Sequence, residues 1–146
     1  SIANTGNLKR VLSRLTREAA RVKAGRGSLL DDPTFARKVA DVEIQITALE
    51  FTALRILSQV ARGGAPGAES SLLKVRGTEI QQAVSELLLE AAGYYGFPFV
   101  GEHGTAIGPD FTARAAASYF NLRKVTIYGG SSEVQRSIMA KAVLGL

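Results

Sequence analysis

The sequence predicts an all-α protein, an up-down-up-down four-helix bundle with an additional C-terminal helix. Three observations lead there. Apolar residues recur every three or four positions through four long stretches, glycine- and proline-rich breaks separate these stretches, and no run alternates apolar and polar residues as a half-buried strand does. The 146 residues are enough for one sizeable core, so 1–146 reads as a single helical domain.

The first stretch, about Ile2 to Ala24, sets Leu8, Val11, Leu12, Leu15, Ala19 and Val22 at helical spacing, with Arg10, Arg14, Arg17 and Arg21 mostly on the other face. Gly25-Arg26-Gly27-Ser28 ends it. Asp31-Asp32-Pro33 then starts the second helix, an Asp cap followed by proline at the first helical position. From there Phe35, Val39, Val42, Ile46, Leu49, Ala53, Leu57 and Val60 run without a breaker to Gly63-Gly64. About thirty residues make a helix of ~45 Å, a length that suits a bundle within a large assembly. Val42, Ile44 and Ile46 with Leu49, Phe51 and Leu54 put apolar residues on more than one face of this helix, which predicts a large exposed apolar surface in a monomer and hence self-association.

After the turn Ala65-Pro66-Gly67, a third helix from about Ser70 to Ala92 carries Leu72, Leu73, Val75, Ile80, Val84, Leu87, Leu88 and Ala91. Gly77 inside it costs about 1 kcal/mol against alanine, which suggests close packing of a neighbouring helix there. Gly93 to Pro109 is the one long irregular segment, with five glycines and two prolines. It holds His103, the lone histidine, read as a solvated loop residue because only Glu102 is near in sequence to orient it. A fourth helix from about Asp110 to Tyr128 has Phe111, Ala115, Tyr119, Leu122 and Ile127 on its buried face.

Composition narrows the functions. There are no cysteines and one histidine, which removes disulfides and thiolate sites and makes a metal centre improbable. No window of ~18 apolar residues spans a membrane, and no signal-peptide pattern is present, so the expected location is cytoplasmic. The chain starts at Ser1 rather than Met, which reads as a cloning or processing boundary. The net charge of +5 suits a nucleotide-bearing small molecule or an acidic partner. No aromatic residues interleave with the basic groups at Lys9-Arg10, Arg14, Arg17, Arg21, Lys23 and Arg26, so no nucleic-acid partner is expected.

The last twenty residues, from Ile127 to Leu146, carry the most chemistry. They read as an apolar helix end (Ile127-Tyr128), a Gly129-Gly130 break, and a new helix capped by Ser131 or Ser132, with an apolar stripe of Val134, Ile138 and Val143. The start of that helix aims free N–H groups and a positive dipole end at the glycine turn, an arrangement that accepts an anion. As composition alone, the same residues make an ordinary helix corner.

The order of these residues resembles the C-terminal signature of the acyl-CoA dehydrogenase family, an Ile-Tyr-x-Gly-Thr/Ser-x-Gln/Glu-Ile/Val-Gln-Arg run followed by an apolar helix. A weaker resemblance to the family's C-terminal helical domain extends over nearly the whole chain. It implies FAD as cofactor, an acyl-CoA thioester as substrate, and an electron-transfer flavoprotein or similar acceptor as partner. It also implies a homodimer or tetramer, or a mixed assembly, with an N-terminal helical domain and a middle β-barrel domain belonging to the full protein. Matched position by position, Ser131 and Glu133 fall where the family contacts the flavin nucleotide, with Gly130 giving close backbone approach. A glutamate at 133 accepts hydrogen bonds from ribose hydroxyls but repels phosphate. Glu90 and Gly93 match the turn that lies against the FAD of a neighbouring subunit, with Tyr94 in place of a second glycine. Tyr128 and Gly129 fall at the substrate, the Gly129 amide matching a donor to the thioester carbonyl.

The family's chemistry needs a carboxylate to remove the α-proton while hydride passes to the flavin. In one branch that glutamate directly follows the signature tyrosine, and here that position is Gly129, so no catalytic residue is assigned within the chain. In another branch it lies just before a segment resembling Ser1-Ile2-Ala3, upstream of this sequence. Two readings follow: a dehydrogenase domain whose base lies upstream, or a partner subunit without one. Oxidase and nitroalkane-type members share the domain as well. The family's Arg-Lys-x-Phe-Gly run has its counterpart in Lys23-Ala24-Gly25-Arg26-Gly27, without the phenylalanine, and Arg26 is not assigned to the cofactor. Set against all of these is a non-catalytic helical interaction module that dimerises through its long helices.

Overall fold

The computed structural model describes residues 4–101, 103–105 and 107–145. Among them the chain folds into five α-helices, α1 (Thr5–Ala19), α2 (Pro33–Ala61), α3 (Glu69–Ala92), α4 (Ala115–Leu122) and α5 (Ser132–Leu144). The all-α class is the expected one. The expected helix start at Ile2, the Ser1-Ile2-Ala3 segment, Glu102 and the final Leu146 lie outside the described residues.

α1 ends at Ala19, not at Ala24. Beyond it Lys23–Ala24 (β1) and Gly27–Ser28 (β2) pair antiparallel around Gly25-Arg26, a small hairpin where no strand was expected. The cause is local: Gly25 sits at φ +59° at the first central position of a two-residue turn, a conformation hairpins use and helices do not. The Asp31 carboxylate accepts from the Ser28 N–H (2.7 Å) and Oγ (2.9 Å). Asp32 accepts from the N–H groups of Thr34 (2.8 Å) and Phe35 (3.0 Å), the expected cap ahead of Pro33. α2 then buries Phe35, Val39, Val42, Ile46, Leu49, Ala53 and Ile56 along one face.

α3 is the centre of the bundle. It packs against α1, α2, α4 and α5, and α1 also packs on α2. Leu73, Ile80, Val84, Leu87 and Ala91 of α3 join Leu8, Leu12 and Leu15 of α1 and the buried face of α2 in one hydrophobic core. The close packing expected at Gly77 is not there. A Cβ at that position would meet only Leu49 Cδ2, at 3.8 Å, an ordinary contact. The glycine's helix penalty is therefore uncompensated by packing.

The fourth helix is composite. A 3₁₀ segment (Asp110–Arg114) leads into the short α4, and a second 3₁₀ segment (Arg123–Thr126) follows it. Winding at three residues per turn rotates the face. Phe111 and Ala115 are buried as expected, but Val125 takes the next core position at 1% exposure and Ile127 is 68% exposed. On α5 the stripe of Val134, Ile138 and Val143 faces outward, and the buried side carries Ser132 instead. No helix among the described residues is long and apolar enough to cross a membrane.

Gly77→Ala is expected to stabilise the fold by about 0.5–1 kcal/mol, since it removes a mid-helix glycine without a clash. A urea midpoint unchanged or lowered by the substitution would show that packing at this position is closer than the 3.8 Å contact implies.

Candidate functional site

The signature turn is built by two glycines and fastened by α3. Gly129 and Gly130 have φ of +67° and +91°, a region side chains rarely adopt, so the chain reverses here and α5 starts at once. Ser131 is the cap. Its backbone is extended, and its Oγ accepts from the Val134 N–H at a long 3.4 Å. Of the two serines proposed as cap, Ser131 holds the position, while Ser132 is buried with its Oγ unpartnered within the protein. A Cβ on Gly130 would collide with the Gln135 amide, whereas one on Gly129 would meet nothing within 4 Å. One glycine thus lies under a side chain and the other opens to the outside.

Glu133 lies in the first turn of α5. Its carboxylate is held below the ordinary glutamate range by its own backbone N–H, then by the Ser131 hydroxyl, with weaker help from Arg136 and Lys74. The start of the helix, open to an anion on paper, is thus satisfied in part by an anion of its own. What remains on offer is a hydroxyl-accepting carboxylate, the Ser131 hydroxyl and the Gly129 N–H, for which no backbone acceptor exists among the described residues.

The turn is positioned from α3, where Lys74, Thr78, Gln82 and Glu86 follow at four-residue spacing on one face. Lys74 Nζ donates to the Val125 carbonyl (3.2 Å), and Gln82 Nε2 donates to the carbonyls of Leu122 and Arg123 (3.2 Å each). Arg123 reaches back, donating to Glu86 Oε1 (2.8 Å), Ser85 Oγ (2.9 Å) and the Gln82 carbonyl (3.2 Å). Its guanidinium also stacks 4.2 Å from the Tyr119 ring centroid. One turn further on, Arg136 pairs with Glu79 (2.8 Å) and docks α5. Sequence reasoning did not single out Arg123. The four-residue spacing from Tyr119 hinted at the stacking, but the α3 partners are some forty positions away in sequence and leave no local trace.

Glu90 and Gly93 are elsewhere. Glu90 is eleven residues past Glu79 on α3, roughly 16 Å along the axis, so one copy of the chain does not join them to the signature turn. Both Glu90 oxygens take the Lys38 ammonium, at 2.8 and 2.9 Å. Gly93 caps α3 with φ +53° and its N–H on the Glu90 carbonyl. Both residues line an open groove of about 450 Å³ with Leu89, Tyr94, Phe97 and Tyr119. Tyr94 and Phe97 meet edge to face there, at 5.3 Å between centroids. A second cleft, of about 570 Å³, lies between α1, the hairpin and the 109–112 segment, and brings Arg14, Arg21 and Lys23 together with Glu18, Tyr95 and Asp110, Glu18 pairing with Arg21 at 3.7 Å. Arg26 is an exposed residue of the hairpin turn and does not line that cleft. Tyr128 and Gly129 are exposed, as is His103.

Residues 1–144 match the family model described as acyl-CoA dehydrogenase, C-terminal domain. The chain is 27% identical over 150 aligned positions to "Acyl-CoA dehydrogenase FadE34" of Mycobacterium tuberculosis, an alignment covering 92% of this chain and 19% of that protein. In three dimensions it is similar to a chain of the ChsE4-ChsE5 complex of Mycobacterium tuberculosis, with a TM-score of 0.76, 24% identity, and coverage of 100% of this chain and 37% of that one. It also resembles butyryl-CoA dehydrogenase of Megasphaera elsdenii (TM-score 0.75, 17% identity, 96% and 33% coverage) and PigA in its FAD complex (TM-score 0.78, 15% identity, 97% and 34% coverage). The chain thus spans about a fifth of its curated relative and about a third of these solved structures.

The lowered Glu133 value fixes a pH dependence. A carboxyl whose folded value lies below its unfolded one adds stability that is complete above the unfolded value and is lost as pH falls through the folded one. Glu133→Gln is therefore expected to lower the Tm at neutral pH and to leave it unchanged near pH 2, about two units under the ordinary carboxylate value. Melting both proteins across that range checks it; a gap that stays constant with pH would remove the carboxylate from the cap.

Proposed function

Because the chain belongs to the acyl-CoA dehydrogenase family as its C-terminal domain, we propose that it works within a larger flavoprotein that oxidises acyl-CoA thioesters with FAD. The observation carrying this reading is the Gly129-Gly130 turn, two positive-φ residues leading into a Ser131-capped helix and fixed on α3.

The residues suit different parts of the cofactor. At the signature turn Ser131 and Glu133 offer a hydroxyl and a carboxylate, partners for ribityl or ribose hydroxyls, while the Glu133 charge keeps phosphate away. Gly130 lets the backbone come close. The diphosphate is assigned to the cleft of Arg14, Arg21 and Lys23, whose three cations outnumber the Glu18 and Asp110 carboxylates beside them. Glu90 and Gly93 border the aromatic groove that would meet a second copy's nucleotide, and their distance from the turn is why two copies are invoked. The bound flavin supplies hydride acceptance. This chain contributes orientation: Tyr128 lines the substrate side, and the Gly129 N–H donates to the thioester carbonyl, drawing charge onto its oxygen as the α-proton leaves. Acyl-CoA enters as substrate and an electron-transfer flavoprotein or similar acceptor removes the electrons.

A second reading has a specific observation behind it. Gly129 supplies no carboxylate where one family branch carries its base, which suits a subunit whose catalysis depends on a partner. The two readings part at Gly129→Glu in the full-length protein. A rise in turnover from near zero marks a base-less subunit, and a fall marks a base supplied from upstream that the new carboxylate crowds.

The 146 residues alone are expected to retain no flavin and to reduce no dye with acyl-CoA. In the full-length protein, Gly130→Val places a β-branched side chain at φ +91° against Gln135, and Ser131→Ala removes a cap of about 1 kcal/mol together with a cofactor hydrogen bond. Both variants are expected to lose flavin, read from the absorbance ratio of purified protein. Normal flavin occupancy in both would sink the cofactor-contact assignment.

A further inference from the structure

One side chain links the aromatic groove to the signature turn. Arg123 caps the short α4 and opens the 3₁₀ segment that leads into the turn. Its guanidinium donates to Glu86 Oε1 (2.8 Å) and stacks on the Tyr119 ring, 4.2 Å from the centroid. Glu86 and Tyr119 both line the groove. The main chain of Arg123 serves the other end. Its carbonyl accepts from Gln82 Nε2 (3.2 Å), and the next carbonyl, that of Lys124, accepts from the N–H groups of Ile127 (2.9 Å) and Tyr128 (3.3 Å). Arg123 to Tyr128 is thus one hydrogen-bonded unit that ends where Gly129 begins.

Glu86 lies twelve residues along α3 from Lys74, which holds the Val125 carbonyl, a span of roughly 18 Å. Sites this far apart act independently unless they share a partner, and here they share Arg123. The link is loose enough for a ligand to set it. The Arg123 and Glu86 side chains are 32% and 55% exposed, so water screens their ion pair in the free chain. A base or ribose seated on Tyr119 beside Glu86 excludes that water and fixes Arg123, and the 123–128 unit with it. The turn then has less freedom left to lose when it binds a cofactor of its own.

We propose that Arg123 is a positioning residue shared by the two half-sites, and that through it flavin in a chain's groove favours flavin at the same chain's turn. The coupling presupposes the reading above, in which each flavin meets the turn of one copy and the groove of the other. With two copies it makes the two flavins bind cooperatively, because an affinity gained at one site through another is returned in kind.

Titrating the flavin-stripped full-length protein with FAD, followed by quenching of flavin fluorescence, tests this. The wild type is expected to take up two flavins per pair of chains with a Hill coefficient above unity. Arg123→Lys keeps a charge for Glu86 but loses the planar fork that reaches Ser85 and the Gln82 carbonyl and stacks on Tyr119. Glu86→Ala removes only the groove end of the link, at an exposed helix position that spares the core. In both variants the Hill coefficient is expected to fall to unity, and Glu86→Ala decides the matter if Arg123→Lys fails to fold. A merely structural role would lower the melting temperature and the affinity and leave the cooperativity. Cooperative uptake that persists in both variants would overturn the role of Arg123. Two flavins bound by the wild type with a Hill coefficient of unity would overturn the coupling. No uptake, or one flavin per two chains, would instead reject the two-copy flavin reading, and the proposal with it.

Discussion

The placement of the signature turn depends on how α3 satisfies the carbonyls that precede it. α4 ends after only eight residues, and the 3₁₀ segment behind it leaves backbone acceptors that a continuing α-helix would have used. Lys74 and Gln82 donate to the carbonyls of Leu122, Arg123 and Val125, and Arg123 returns three bonds to α3. The exchange is reciprocal: α3 caps the segment, and the segment's arginine ties the row of polar side chains on α3. Partly buried bonds of this kind are worth more for where they hold the chain than for their net stabilisation of about 1 kcal/mol each. Val125 is fully buried beneath them, and the chain runs on from there into the positive-φ turn at Gly129 and Gly130.

The electrostatics of the turn follow from one residue. A helix N-terminus attracts anions, and Glu133 meets that attraction from within the chain. This divides the labour between the two ends of the molecule. The turn favours neutral hydroxyl donors, whereas Arg14, Arg21 and Lys23 gather at the hairpin cleft with Glu18 and Asp110. A long dinucleotide bridging subunits would meet both kinds of surface, each from a different copy. The distance along α3 between Glu90 and the turn is what the proposed cofactor site answers with two copies.

The sequence by itself determined the elements whose cause is local. Helical periodicity placed α2 and α3, Asp32-Pro33 announced the start of α2, and Gly129-Gly130-Ser131 announced a break and a capped helix, because capping and positive φ are properties of neighbouring residues. The order of the same residues pointed to the family whose model covers 1–144. That α2 carries apolar residues on more than one face was also legible, since helical spacing is visible without coordinates.

The tertiary structure decided what distant partners control. It broke the fourth helix into 3₁₀ and α segments, turned Ile127 outward and Val125 inward, and gave Arg123 its partners some forty residues away. It turned the apolar stripe of α5 away from the core and showed that a Cβ at Gly77 would meet only an ordinary contact with Leu49. Periodicity says that a helix has two faces but not which one a neighbour will cover, because burial is set by the whole bundle and not by the segment. The candidate site divides along the same line. The type and order of its residues were legible in one dimension, while the separation of Glu90 from Ser131, the neutralised helix start and the convergence of three cations on one cleft required the packed chain.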